Sequence, residues 1–207
     1  IENRTGDELI EQSSPTANRA LLVIFFISLV IIWIMYQQWV SNLSVYMTGL
    51  HISLQDYSFL WTMNAALIVC IQMILSWFNN NFGNRISAYF QVEAGLLMFT
   101  MSFVALFFAR QYLGFVIAMV FLTFGESLAI PTIPSVVNSL TPEAYKGRNQ
   151  GFVNSCSSLG RAIGPLFGGL IIDTSSYFSL FLIASLSFLL VLLVVGFVWQ
   201  LSKKKID

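Results

Sequence analysis

Charge is scarce in this chain of 207 residues. Only 10% are Asp, Glu, Lys or Arg, against roughly a quarter in soluble domains. The ten basic and ten acidic residues cancel, so no basic field for nucleic acid exists. One histidine, His51, supplies neither metal-ligand spacing nor a hydrolytic dyad. The two cysteines, Cys70 and Cys156, both lie in apolar runs, which argues against a disulfide framework or a zinc site. No GxxxxGK[ST] loop is present, so ATP-driven chemistry is not expected of this chain. No cofactor and no metal is expected, and an enzyme is the poorest of the available readings.

What the chain has instead is apolar length. Hydrophobic residues make up 57% of it, and the mean hydropathy is +0.76, which fits neither an ordinary soluble domain nor disorder. A helix needs about 20 mostly apolar residues to cross roughly 30 Å of hydrocarbon. Six stretches qualify: 20–47, 57–78, 86–109, 113–140, 149–172 and 177–201. The alternation of a membrane barrel strand is absent, which leaves helices. The expectation is an all-α membrane protein with six transmembrane helices.

Basic residues orient it. Arg4, Arg19, Arg85, Lys146, Arg148, Lys203, Lys204 and Lys205 all fall on one side of this topology; Arg110 falls on the other, and Arg161 lies inside a span. The positive-inside rule then puts both termini in the cytoplasm. Residues 1–18 are polar and lack the apolar region of a signal peptide. With a first residue that is Ile rather than Met, 1–19 reads as an interdomain linker of a longer protein or as a cytoplasmic tail. The membrane domain is expected over 20–201, and 202–207 form a basic cytoplasmic tail.

Span 5 contains Gly160-Arg161-Ala162-Ile163-Gly164-Pro165-Leu166-Phe167-Gly168-Gly169. This resembles the GxxxGPxxGG pattern of major facilitator superfamily exporters, where it marks the fifth helix of a six-helix half. The preceding loop, Pro142 to Gly151, resembles that family's loop between helices four and five of a half. Phe124-Gly125-Glu126-Ser127 followed by Pro131 and Pro134 resembles the tenth helix of drug:proton antiporters. The loop between spans 2 and 3, from Ser76 to Arg85, keeps only Gly83 and Arg85 of the family's G-x-L-x-D-R-x-G-R-R pattern. Asn80 stands where the family has aspartate, which fits the C-terminal half, helices seven to twelve.

The resemblance implies half of a secondary transporter, with protons, a small-molecule substrate, membrane lipid and an N-terminal six-helix half as its partners. Proton-coupled export of small organic or drug-like compounds across a bacterial plasma membrane is the leading reading. An uptake or lipid-flipping member of the superfamily is the runner-up, and a non-transporting scaffold or sensor comes from another class.

Several residues stand out on physical grounds. Gly160, Gly164 and Gly168 stack at i, i+4 and i+8 and let another backbone approach; Pro165 removes a hydrogen bond and permits a bend. With Gly169 they form a packing motif, a flexible seam for transport, or both. Glu126 lies roughly 20 Å below the outer edge at 1.5 Å per residue. At that depth a carboxylate must be protonated, paired or facing a cavity. It is either a proton or cationic-substrate site or a structural ion pair with Arg161, which itself sits about 18 Å inside its span. Glu93, with a packing role expected, is the other acid Arg161 could pair with.

Gln38, Asn42 and Tyr46 share one face of span 1, beside Gln37. Asn64 and Gln72 lie eight apart on span 2. In this superfamily helices one, two, four and five of each half line the central cavity, which makes these six residues candidates for a substrate site. Amides and aromatic rings suit amphipathic or cationic organic compounds. Interhelical hydrogen bonding is the alternative use of the same groups.

Overall fold

A polar group inside an apolar helix must find its partner in that helix or on a neighbour, because lipid offers none. That requirement fixes where these spans bend and touch. The computed structural model describes residues 15–82 and 86–203. The polar segment before Pro15, residues 83–85 of the degenerate loop and residues 204–207 lie outside the described residues, and with them Arg4, Gly83, Arg85, Lys204 and Lys205.

The described residues form eight α-helices that make six spans. Helices α1 (Pro15–Ser41) and α2 (Leu43–Gly49) form span 1, and α3 (Leu54–Phe82) forms span 2. Helix α4 (Ala88–Phe108) is span 3, while α5 (Tyr112–Ala129) and α6 (Thr132–Ser139) are the two pieces of span 4. A single 3-10 turn, Glu143–Tyr145, leads into α7 (Lys146–Thr174), span 5, and α8 (Tyr177–Lys203) is span 6. All six are long and apolar enough to cross a membrane, so the all-α, six-span expectation holds.

Several ends differ from the sequence reading by a few residues, and two of them do so for a visible local reason. Span 2 begins earlier because Ser53 and Asp56 cap it reciprocally: the Asp56 N–H donates to Ser53 Oγ at 3.1 Å, and Ser53 Oγ and N–H donate to Asp56 Oδ2 at 2.7 and 3.3 Å. This is the capping-box arrangement. Span 5 begins at the 3-10 turn because its polar start packs on span 4. Asn149 Nδ2 donates to Thr141 Oγ1 at 2.9 Å, and Gln150 Nε2 donates to Pro134 O at 2.9 Å and Asn138 Oδ1 at 2.8 Å.

Span 3 packs most extensively on span 4, and also on span 6. Gly95 and Gly125 meet at the crossing of spans 3 and 4: a Cβ on Gly125 would lie 2.9 Å from the Gly95 carbonyl oxygen. Phe188 of span 6 stacks on Phe99 with ring centroids 5.0 Å apart and lies against Phe103 at 5.6 Å. Spans 1, 3, 4 and 6 have 39% to 50% of their apolar windows buried, whereas spans 2 and 5 have only 17% and 22%. The two least covered spans are the ones that supply Asn64, Gln72 and Arg161.

Candidate functional site

Glu126 lies near the end of α5, half-buried. Its Oε2 accepts a hydrogen bond from Asn64 Nδ2 of span 2 at 3.1 Å. The same amide donates to Thr123 Oγ1 at 3.0 Å, and the Thr123 hydroxyl donates to Met119 O at 2.8 Å. From span 1 the Tyr36 hydroxyl also interacts with the carboxylate. The two side chains shown to bond it are thus a neutral amide and a neutral hydroxyl.

Arg161 is elsewhere. Among the described residues Lys146 and Glu143 form the single ion pair, so Arg161 pairs with neither Glu126 nor Glu93. Its guanidinium lies over the Trp33 ring of span 1, 4.6 Å from the centroid, a cation–π contact worth about 0.5–2 kcal/mol depending on its exposure. The structural pair with Glu126 is corrected on this geometry: Glu126 is held by span 2, whereas Arg161 stacks on span 1. Glu93 lines a groove of about 720 Å³ between spans 3 and 6, with its Oε1 3.2 Å from where a Gly196 Cβ would sit.

The glycine motif joins span 5 to span 1. A Cβ on Gly160 would lie 2.6 Å from Trp33 Cβ, one on Gly164 2.6 Å from Gln37 Cβ, and one on Gly168 1.8 Å from Gln38 Oε1. Gly160 and Gly164 admit no side chain as the helices stand, whereas at Gly168 the space is taken by the side-chain ends of Gln38 and Asn42. Gly169 has nothing within 4 Å of its Cβ position. Pro165 sits inside α7, which continues through it.

Gln38 crosses this seam. It is 2% exposed; its Nε2 donates to Gly164 O at 2.8 Å and to Ile34 O at 2.7 Å, and its Oε1 accepts from Asn42 Nδ2 at 2.6 Å. Tyr46 lies in an aromatic cluster with Phe115, Tyr177 and Phe181, where its hydroxyl accepts from Arg110 Nη1 at 2.6 Å. The six candidate cavity residues therefore fall in separate places: Gln37, Gln38 and Asn42 at the span 5 seam, Tyr46 in the aromatic cluster, Asn64 on Glu126, and Gln72 farther along span 2.

Gln72 marks a feature the sequence reading missed. Pro131 has no N–H, so the carbonyl of Ser127 one turn earlier has no helical donor. Gln72 Nε2 donates to that carbonyl at 2.9 Å. The two residues line a cavity of about 500 Å³ between spans 2, 3 and 4, together with Ser76, Asn80, Gln91, Thr132 and Ser135. The signal was present in the sequence as two polar stripes at i, i+4 spacing. Asn64, Gln72, Ser76 and Asn80 make one, with Ile68 the single apolar member of the register, and Thr123, Ser127 and Ser135 make the other, interrupted by Pro131.

Residues 20–206 match the family described as Major Facilitator Superfamily. An uncharacterised MFS-type transporter of Bacillus subtilis, YttB, is 41% identical over 157 residues, covering 76% of this chain and 39% of the relative. An MFS-type transporter of Methanocaldococcus jannaschii, MJ1560, is 29% identical over 84 residues, 41% of this chain and 22% of its own length. The chain thus spans two fifths or less of these relatives.

Among solved structures, a mutant of the peptide transporter POT in complex with alafosfalin superimposes with a TM-score of 0.72 at 18% identity, over 86% of this chain and 38% of that one. A POT family transporter in complex with 5-aminolevulinic acid gives a TM-score of 0.67 at 21% identity, over 84% and 37%. These likenesses concern the fold.

Proposed function

The chain belongs to the Major Facilitator Superfamily, and on that premise we propose that it forms spans seven to twelve of a proton-coupled exporter of small organic or drug-like compounds. The observation that carries the proposal is the setting of Glu126. An intramembrane carboxylate is costly unless it is neutralised or serves an ion path. Here it has no counter-cation among the described residues, and its neighbours Asn64, Thr123 and Tyr36 are neutral. Such a shell tolerates both the charged and the protonated acid, which a proton carrier requires.

In this reading Glu126 takes up a proton on one side of the membrane and releases it on the other as the two halves rock about a midplane site. Arg161, held over Trp33, gives the opposite wall of the cavity a fixed positive charge. The exporter sits in a bacterial plasma membrane with both termini cytoplasmic, as the eight-to-one distribution of basic residues outside the spans supports. The poorly covered faces of spans 2 and 5 are where the N-terminal six-helix half packs, and the share of YttB that the chain matches agrees with one half of a longer protein.

The test uses the full-length protein in inside-out vesicles with ethidium as a probe cation. Glu126→Gln abolishes pH-gradient-driven ethidium accumulation while membrane level and thermal stability are unchanged. Retained gradient-driven accumulation in Glu126→Gln would remove the carboxylate from the mechanism.

A further inference from the structure

The two polar stripes lead from Glu126 to one end of the bundle. At the Glu126 end, span 2 meets span 4 through Asn64, which bonds both Thr123 and the carboxylate. Two turns along span 2, Gln72 bonds the Ser127 carbonyl. Beyond that bond the spans part, and Ser76 and Asn80 on one side face Pro131 and Ser135 on the other across the cavity of about 500 Å³. Span 3 closes the third side with Gln91, whose Oε1 lies 3.3 Å from Thr132 Oγ1. The cavity lies toward the end of the bundle where spans 2 and 3 are joined, which is the cytoplasmic end in the proposed topology.

The residue at the head of the cavity has an unmet need. Ser127 is 3% exposed, and its Oγ is buried without a hydrogen-bond partner among the described residues. Buried hydroxyls are nearly always satisfied, by protein or by ordered water, and a polar cavity of this size has room for about sixteen waters at roughly 30 Å³ each. Ser127 is also the chain neighbour of Glu126. Water in this cavity thus reaches Ser127 and Gln72, and Gln72 stands two turns along span 2 from Asn64, which bonds the carboxylate.

We propose that the polar seam between spans 2 and 4 is the aqueous route by which protons reach Glu126 from the cytoplasmic end. It is bounded by spans 2, 3 and 4. A proton enters from bulk water beside Asn80 and Ser135, passes along the cavity water to Ser127 and Gln72, and ends on a Glu126 carboxylate oxygen; bulk water is left one proton poorer. The titratable group that faces the carboxylate is Tyr36 of span 1, with Tyr57 of span 2 near that hydroxyl. The acid of span 3, Glu93, lines the groove toward span 6 instead. The use of the route rests on the proposed role of Glu126, but its existence does not.

Two measurements on the full-length protein in liposomes test it. In a background lacking Cys70 and Cys156, Ser76→Cys, Ser127→Cys and Ser135→Cys react with a membrane-impermeant methanethiosulfonate from the cytoplasmic side, Ser127→Cys the slowest. Leu186→Cys, at an exposed apolar position of span 6 that lines neither cavity, does not react. Labelling of Ser76→Cys and Ser127→Cys no faster than Leu186→Cys would overturn the route.

The second measurement reads Glu126 itself. Dicyclohexylcarbodiimide modifies protonated carboxyls in membranes, and mass spectrometry assigns the site. Modification of Glu126 follows a pH jump on the cytoplasmic side, and the paired plug Ser76→Leu with Ser135→Leu slows that response at least tenfold. An unslowed response in the plugged protein would sink the route while leaving Glu126 as the proton site. A slowed response combined with normal transport in Glu126→Gln would keep the route and remove the coupling role.

Discussion

Spans 1 and 5 touch backbone to backbone, whereas spans 2 and 4 touch through side chains. In this superfamily each six-helix half is built from two inverted three-helix repeats. Span 1 then corresponds to span 4 and span 5 to span 2, and the two seams are one contact made twice. At the first, Gly160 and Gly164 leave no room for a side chain against Trp33 and Gln37, and Gln38 fills the space at Gly168. At the second, the equivalent face bears Asn64, Gln72, Ser76 and Asn80, and the helices separate around a cavity. The same topology is therefore sealed or hydrated according to side-chain size and polarity at one register of one helix.

The comparison breaks most readily at the sealed seam. Gly160→Leu puts a side chain against the backbone of span 1, its Cβ 2.6 Å from Trp33 Cβ and 2.7 Å from the Val30 carbonyl oxygen. Overpacking costs about 1–3 kcal/mol or more, and backbone atoms cannot swing aside as a side-chain end can. The expected result is little folded protein in the membrane, measured as level and detergent melting temperature. A stable Gly160→Leu protein would mean that the seam is not closed.

At the open seam, Gln72→Leu strands the Ser127 carbonyl that Pro131 deprives of a donor. An unsatisfied buried acceptor costs about 1–3 kcal/mol, and because Gln72 is exposed and cavity water can reach the carbonyl, the loss is expected at the low end of that range. Pro131→Ala in the same chain restores the helical N–H and is expected to recover most of that loss. The double-mutant cycle, read from denaturation midpoints, should be strongly non-additive, and additive losses would disconnect Gln72 from Pro131.

Gly169→Ala sharpens the contrast within one motif. Nothing lies within 4 Å of its Cβ position, so the alanine is expected to stabilise by up to about 1 kcal/mol through helix propensity. The smallest effect on stability is expected for Glu126→Gln. Removing one partner of a buried ion pair costs about 3–5 kcal/mol, but Glu126 has no such partner among the described residues, and the variant's melting temperature should stay within a degree or two of the parent. A loss that Arg161→Gln rescues would instead reveal a pair.

The six spans were legible because hydrocarbon thickness dictates apolar length, and length survives without any knowledge of packing. The glycine contact was legible for a similar reason: three glycines at i, i+4 and i+8 admit one use, and only its partner, span 1, had to be found. Arg161 was misread because the search for its partner counted acids. A ring face attracts a guanidinium without bearing a charge, so Trp33 left no trace in that count. The span 2 and span 4 stripes are visible in the sequence, yet each alone reads as helix polarity. Their meaning comes from facing one another across about sixty residues of chain. Gln72 was assigned to substrate because nothing local links it to a proline on another helix.

The interruption of span 4 has a mechanical consequence. Its backbone ladder runs on to Ile130, whose N–H donates to Glu126 O at 3.2 Å, and loses the next bond at Pro131, so the span carries one weakened turn. The piece above it is clamped to span 3 where Gly125 meets Gly95, and it holds Glu126. The piece below is bonded on two sides, to span 5 through Gln150 and to span 3 through Thr132 and Gln91. Span 3 thus acts as a splint across the weakened turn, and the proline is bridged from outside the helix it interrupts.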